Sequence, residues 1–321
     1  MTFIPHHKPS PSKELQIYRS IHPRMNLSAS QKHKYDKLNK GYQGEWKFYQ
    51  LLDENPSTNR IALYDFLLES NETEFQIDSL IFHHNTIFPL EIKNFEGDFY
   101  FEENNWYVVN SKREIRNPLL QLQRTEFLFK QVLHNLHVKT EVKPYLVFVN
   151  DAFTLYQSPI GPPIIYPTQL KRFINHVNTN SRPLTLQHKN LANKLISMHK
   201  EESANSRTPG YEYNQLKKGI VCKNCYGFLS PFTKVRLKCQ QCNSEENIET
   251  AVMRAVDEFA LLFPDRRITT GMIYEWCPVV NNKERIRKIL MKHMTLIRNG
   301  RFSYYIFPKK SLKNSLTEAK T

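Results

Sequence analysis

Glycine is scarce in this chain, nine residues in 321, whereas Phe (20) and Tyr (16) are plentiful. That balance excludes a low-complexity or linker-like chain and fits a folded protein with at least one real core. Long apolar runs are missing, so no segment can span a bilayer, and no lipidation signal is evident. The N-terminal stretch MTFIPHHKPSPSKEL lacks the uninterrupted apolar segment of a signal peptide, which gives a cytoplasmic expectation with no membrane partner. Cysteine is also sparse: five residues, four of them in two Cys-x-x-Cys pairs, a pattern of metal binding in a reducing compartment rather than of a disulfide framework. Acidic residues run short as well. With 31 Asp and Glu against 45 Lys and Arg, the formal charge is +14, a surplus that favours phosphate-rich partners.

The length allows two or three domains. Residues 1–34, rich in Pro, Ser, His and Lys, read as a flexible basic arm. From Tyr35 the pattern turns helical, with Leu38, Tyr42, Trp46, Phe48, Tyr49 and Leu52 supplying an apolar face and Asn55-Pro56 stopping it. Strands are expected at residues 60–68, 105–109, 143–150 and 163–166, and helices at 117–133 and 168–177, with Pro118 at a favourable early position. Gln121 and Arg124 fall three apart on one face of the 117–133 helix, where they can contact a phosphate or simply meet solvent. Helix, three strands, helix, strand argues for an α/β fold with mixed strand directions over residues 35–180.

Between residues 75 and 95, FQIDSLIFHHNTIFPLEIKNF forms two short apolar strands carrying Asp78 in the first and Glu91 and Lys93 in the second. Alternation puts Glu91 and Lys93 on one face and Ile92 on the other. Two carboxylates can bind a hard cation through oxygen, and a neighbouring lysine can orient water or stabilise charge on a phosphate. The alternative is that Asp78 ends a strand and that Glu91 and Lys93 line a solvated face; Glu45, on the first helix, is likewise a solvated residue when taken alone.

The ordered set Gly44-Glu45, Gln76-Ile77-Asp78, Glu91-Ile92-Lys93 and Asn117-Pro118 with Gln121 resembles the nuclease-related domain, NERD, of the restriction-endonuclease-like PD-(D/E)xK group. Twelve residues separate Asp78 from Glu91, as the acidic residue and the E-x-K tripeptide of that group are separated. The resemblance covers about residues 38–155. It implies a restriction-endonuclease-like mixed-sheet core and a Mg²⁺-dependent (or Mn²⁺-dependent) phosphodiesterase site: Asp78 and Glu91 as metal ligands, Lys93 positioning the attacking water, Glu45 as an auxiliary acid and Gln121 as a supporting contact.

Residues 181–217 turn polar around one helical patch at 191–198 and read as a domain end plus linker. Then Cys222 and Cys225, thirteen residues, and Cys239 and Cys242 give the spacing of a zinc ribbon over residues 218–246. Four thiolates leave no open position on Zn²⁺, so the role read here is structural. Lys223, Lys234, Arg236 and Lys238 can touch phosphates or stay solvated. Helices at 247–263, 268–276 and 282–297, the last with Arg285, Arg287, Lys288 and Lys292, then a strand at 301–307, resemble a winged helix over residues 247–310, followed by a tail at 311–321. Such modules bind DNA or protein, and the basic residues also suit a plain amphipathic helix. Cys277 reads as a buried, neutral thiol. Together these features predict a metal-dependent nuclease acting on DNA more than RNA. A non-catalytic nucleic-acid-binding or regulatory protein on the same scaffold, or a protein-interaction scaffold using the C-terminal modules, are the alternatives.

Overall fold

A computed structural model describes residues 8–158, 160–161, 163–179, 184–200 and 209–308. The chain separates into two compact units, one formed by residues 1–13 and 34–206, the other by 14–33 and 207–321. The first helix, α1 (Lys13–Ile21), belongs to the second unit, and the boundary near residue 34 falls inside the long helix α2 (Ala29–Asp53).

In the first unit, α2 is followed by an antiparallel meander of β1 (Arg60–Ser70), β2 (Thr73–His83) and β3 (Thr86–Lys93). Asn71 and Glu72, with φ of 48° and 60°, make the two-residue turn between β1 and β2, a geometry that matches the twist of the strands it joins. A second meander, β4 (Gly97–Glu102), β5 (Asn105–Val108) and β6 (Glu114–Ile115), precedes α3 (Pro118–Asn135). The chain continues through β7 (Glu141–Val142), β8 (Tyr145–Phe148), β9 (Phe153–Tyr156), β10 (Ile164–Ile165), α4 (Leu170–Asn178) and α5 (Leu186–Met198).

The main sheet has the order β1-β2-β3-β8-β10, with β7 also on β3; β3, β8 and β10 run parallel. A parallel pair needs a crossover, and here the second meander and α3 supply it. The second sheet, β6-β5-β4-β9, adds β9 parallel to β4. The fold is therefore mixed α/β with mixed strand directions, as the succession of elements implied.

Apolar residues cover both faces of the main sheet. Phe48, Tyr49 and Leu52 of α2 and Phe173, Ile174 and Val177 of α4 pack with Ile81, Leu90, Ile92 and Val147 on one side. Leu128, Phe129 and Val132 of α3 and Ala192 and Leu195 of α5 pack with Leu63, Phe66, Ile77 and Leu80 on the other. The helical patch assigned to the linker is thus part of this core. Strand β4 falls outside the strands expected from sequence; it forms because Phe99 is drawn into a third cluster with Trp106, Phe148 and Phe153.

The second unit holds β11 (Leu229–Pro231), β12 (Arg236–Cys239) and β13 (Glu245–Asn247) in one antiparallel sheet, then α6 (Ile248–Leu262), α7 (Thr270–Trp276), α8 (Lys283–His293) and the antiparallel pair β14 (Thr295–Ile297) and β15 (Tyr304–Ile306). Asn247, Thr269 and Asn282 cap the three helices with their side chains. The predicted helix at 282–297 ends at His293; its last residues turn into β14, which pairs with β15. An isolated bridge ties Ile268 to Tyr305. The core is aromatic, with Trp276 against Phe259, Phe263 and Tyr213. The tail at 311–321 lies outside the described residues.

Residues 1–7 lie outside the described residues, and over residues 13–21 the reading of a loose arm is corrected by α1, which buries Leu15, Ile17, Tyr18 and Ile21. Just beyond it, Arg24 is 3 % exposed. Its guanidinium donates to Glu258 Oε2 at 2.6 Å and Oε1 at 3.3 Å, to the Lys217 carbonyl at 2.7 Å and to the Gly219 carbonyl at 2.8 Å, and lies 4.3 Å from the centre of the Trp276 ring. Removing it strands a buried carboxylate and two carbonyls, so Arg24→Ala is expected to destabilise the second unit by about 3–5 kcal/mol. Arg24→Met combined with Glu258→Leu should recover much of that loss, because an apolar pair needs no partner. Urea unfolding of these three proteins checks both statements, and equal midpoints for wild type and Arg24→Ala would contradict the first.

Candidate active site and metal centre

The main sheet opens at one place. β2 and β3 pair from His83–Thr86 to Ser79–Leu90, and the pairing stops before Asp78 and Glu91, the next residues in register. Beyond this fork β3 runs beside β8 as far as Lys93–Phe148, while β2 stays with β1. The Ile92 amide at the fork donates to Asp78 Oδ2 at 2.7 Å, so the carboxylate takes over a backbone group that the ladder no longer pairs.

Asp65 stands opposite Asp78 on β1 in the left-handed region, with φ of 52°. Alternation changes phase there: Ile61 and Leu63 share a face with Phe66 and Leu68, as Ile77 does with Leu80 on β2. Gln76 Nε2 donates to Asp65 Oδ1 at 2.8 Å.

On β3 alternation holds. Ile92 joins the core, and Glu91 and Lys93 meet on the other face with Nζ 2.5 Å from Oε1. Lys93 Nζ also donates to Gln121 Oε1 at 3.1 Å. Gln121 is within reach because α3 begins beside it, Asn117 Oδ1 accepting from Leu119 N at 2.9 Å with Pro118 in the first turn.

Glu45 arrives from α2. Its neighbour Gly44 is buried against the chain leaving β3, and a Cβ there would stand 2.7 Å from Asn94 Cβ, so only glycine lets the helix come this close. Asn94 fixes the approach by donating to the Lys40 carbonyl at 2.9 Å. Burial, then the charges of Asp65 and Glu91, push the Glu45 carboxyl from 4.5 up to about 7, against the pull of Lys93.

Burial, followed by Glu91 and Glu45, likewise holds Asp78 well above the usual carboxylate range, opposed by Lys93 and the Ile92 amide. Glu91 is raised by burial, against Lys93 and Arg116. Its Oε2 is buried and has no hydrogen-bond partner among the described residues. An orphaned, buried carboxylate oxygen within a group of carboxyls that resist ionisation suits a hard divalent cation, which binds through oxygen and cancels the repulsion. The carboxylates form an open set: among the described residues, the four cysteines are the cluster whose ligand atoms all lie within 4.8 Å of one another.

The structure thus brings Glu45, Asp78, Glu91, Lys93 and Gln121 together and leaves Arg124 exposed, one turn further along α3. Sequence reasoning missed Asp65 and Arg116. Asp65 had a signal, a lone charge in the apolar run IALYDFLL over residues 61–68.

In the second unit each Cys-x-x-Cys closes a tight turn. Tyr226 and Asn243, with φ of 62° and 59°, follow the second cysteine of each pair, and their amides donate to the carbonyls of Cys222 and Cys239 at 3.0 Å. The Ser244 hydroxyl pulls the Cys242 thiol down to about 6, and the thiol hydrogen bond to Cys239 holds Cys225 up at about 12 against a Gly227 backbone hydrogen bond that lowers it. Thiols so close cannot all ionise alone, and four sulfurs at this spacing can hold a tetrahedral Zn²⁺. Cys277 stands apart, fully buried, its thiol pushed up to about 12 by burial.

Several basic residues assigned to nucleic acid are engaged within the unit. Arg236 pairs with Glu245 at 3.1 Å, Arg287 with Glu284 at 2.7 Å and Lys292 with Glu249 at 2.7 Å. Arg285 Nη1 donates to the Lys234 carbonyl at 2.5 Å, and Lys238 lies 5.0 Å from the centre of the Phe232 ring.

Residues 40–149 match the family model of the nuclease-related domain, NERD, so about a third of the chain is a domain of that kind. No curated protein matches. Among solved structures, the small subunit (R.BspD6I2) of the heterodimeric restriction endonuclease R.BspD6I is similar over 57 % of this chain and 86 % of its own, at 10 % identity and a TM-score of 0.23. A likeness at that score has no bearing on function. Among the described residues no helix is long and apolar enough to cross a membrane.

Proposed function

From the nuclease-related domain at residues 40–149 we infer a metal-dependent nuclease that hydrolyses phosphodiester bonds in DNA. The observation that carries this reading is the orphaned Glu91 Oε2, buried at the fork between β2 and β3 beside Asp78 and Lys93. Asp78 and Glu91 would hold Mg²⁺ or Mn²⁺, with Glu45 as an auxiliary acid. A cation held there supplies positive charge against the phosphate and makes a nearby water more acidic. Lys93, held by Gln121, orients the attacking water and offsets charge growing on the phosphate. Arg116 and Arg124, both exposed on or next to α3, can steer the DNA backbone towards the fork.

In the second unit, Zn²⁺ on Cys222, Cys225, Cys239 and Cys242 would close a zinc ribbon, and α6 to β15 form a winged-helix-like module. Lys223, Lys234 and Lys288 are the residues of the predicted basic set there whose side chains no ion pair, hydrogen bond or ring contact engages among the described residues, which leaves them for phosphate. A non-catalytic DNA-binding protein is the second reading, favoured by the intramolecular pairing of Lys93 with Glu91. A cleavage panel of linear, nicked, branched and single-stranded substrates with Mg²⁺ and Mn²⁺ separates the two. Absence of product on every form would sink the nuclease reading.

The Glu45 carboxyl makes the site sensitive to pH. Raised from 4.5 to about 7, it favours the metal-free fold most below its unfolded value, and that contribution is lost as pH rises through about 7. Cation binding requires the ionised form, so the thermal stabilisation given by Mg²⁺ should be larger a pH unit above about 7 than a unit below it. An equal Mg²⁺-induced shift in Tm at both would contradict the assignment of Glu45 to the site.

A further inference from the structure

The outer face of the second sheet carries an arrangement that takes no part in the fork. Phe99, Trp106 and Phe153 point into the core, so Tyr100, Tyr107 and Tyr156, each an odd number of residues along its strand, point outward. Register aligns them: Tyr107 is opposite Tyr100, and Tyr100 is opposite Tyr156. Glu114 of β6, opposite Tyr107, ends the row. The Tyr100 and Tyr107 rings stack at 4.9 Å and 18°, and Tyr156 is 52 % exposed. Beside them opens a cleft of about 590 Å³ lined by Tyr100, Tyr156, Glu102, Val109 and Gln157.

The strands of this face carry charge opposite to that of the chain, the basic residues Lys112 and Arg113 lying in the hairpin between β5 and β6. Asp98 and Glu102 share the outward side of β4 with Tyr100, and none of β4, β5, β6 and β9 contains Lys or Arg, although the chain carries +14 overall. Bases can stack on tyrosine, but the phosphates between them would meet Asp98, Glu102 and Glu114. A guanidinium suits both features, lying flat on a tyrosine face while its fork pairs with a carboxylate.

We propose that this face docks an arginine-bearing segment of a partner protein, one guanidinium entering the cleft lined by Tyr100 and Tyr156 and pairing with Glu102. The test titrates a fluorescein-labelled Gly-Arg repeat peptide into the full-length chain and reads anisotropy, with a Gly-Lys repeat and an oligothymidine in parallel. Saturable binding of the arginine peptide is expected, weaker for the lysine peptide. Tyr156→Ala and Glu102→Gln should each weaken it by about tenfold, the worth of a cation–π contact or an assisted hydrogen bond, and leave oligothymidine affinity unchanged. Both side chains are exposed, so the fold tolerates the changes, and unchanged thermal unfolding verifies this. Absent peptide binding, or equal affinity in wild type and both variants, overturns the proposal. Loss of oligothymidine affinity in Tyr156→Ala with peptide binding untouched also overturns it, and makes the face a base-stacking platform.

Discussion

Asp78→Asn is expected to lower metal-dependent cleavage of DNA by about three orders of magnitude, the several kcal/mol that a bound cation contributes to phosphodiester hydrolysis. Asparagine is the informative replacement, because Asp78 has two jobs. Its Oδ2 accepts the Ile92 amide at 2.7 Å where β2 and β3 part, and an amide oxygen can keep that bond while losing the charge. Asp78→Ala would orphan the amide at about 1–3 kcal/mol, and lost activity could then reflect a disturbed fork. The same reasoning governs Lys93. Lys93→Ala should cost about 10²–10³-fold in rate but leaves Glu91, 2 % exposed, as an unpaired buried carboxylate, so it also destabilises the fold. Lys93→Met with Glu91→Gln removes the charge of both and separates chemistry from stability. Single-turnover cleavage, urea midpoints and DNA titrations at several salt concentrations provide the measurements. If Asp78→Asn and the double variant cleave as wild type does, the fork is not the active site. If they bind DNA as wild type does and no protein of the set yields product, the binding-protein reading gains.

The fork was legible in part. A carboxylate and a lysine two apart on an apolar strand must share a face, and they do, because β3 keeps its alternation to the end. The break between β2 and β3 was not legible, since Asp78 and Glu91 lie in register and nothing local says that their strands separate there. Asp65 left a trace, a phase change from Ile61 and Leu63 to Phe66 and Leu68. That trace acquires meaning only once β1 is known to lie beside Asp78. Gly44 was noticed as half of a motif, while its cause, the approach of α2 to Asn94, depends on a residue fifty positions away.

The N-terminal segment failed for the same reason at greater range. Arg24 and Glu258 are 234 residues apart, and a nine-residue helix has little intrinsic stability, so α1 depends on the burial of its apolar face, which nothing local in the sequence announces. Charges behaved differently again: Arg287 and Lys292 look alike on a helical wheel, yet each has an acidic partner, at positions 284 and 249, that lowers its availability to phosphate.

Chelation of zinc is expected to unfold residues 218–246. Strands β11, β12 and β13 have three, four and three residues, far below what an isolated sheet needs for stability. A closed four-cysteine zinc site contributes on the order of 10–16 kcal/mol of apparent binding free energy, comparable with the whole stability of an ordinary domain. Zinc bound there would therefore decide whether the ribbon folds. Purified chain should contain one zinc, lost in Cys222→Ser and Cys239→Ser and kept in Cys277→Ser, whose thiol lies outside the cluster. Loss should not stop at the ribbon. The Gly219 amide donates to the Trp276 carbonyl at 2.9 Å, and Arg254 of α6 donates to the Val221 carbonyl at 2.6 Å while pairing with Glu246 at 2.7 Å. These bonds join both ends of the ribbon to α6 and α7, so hydrogen exchange should show the first turns of α6 losing protection with the ribbon, while β1 to β3 of the first unit keep theirs. A chain that lacks zinc when purified, or a ribbon that stays protected in excess chelator, would mean that the ribbon folds without the metal.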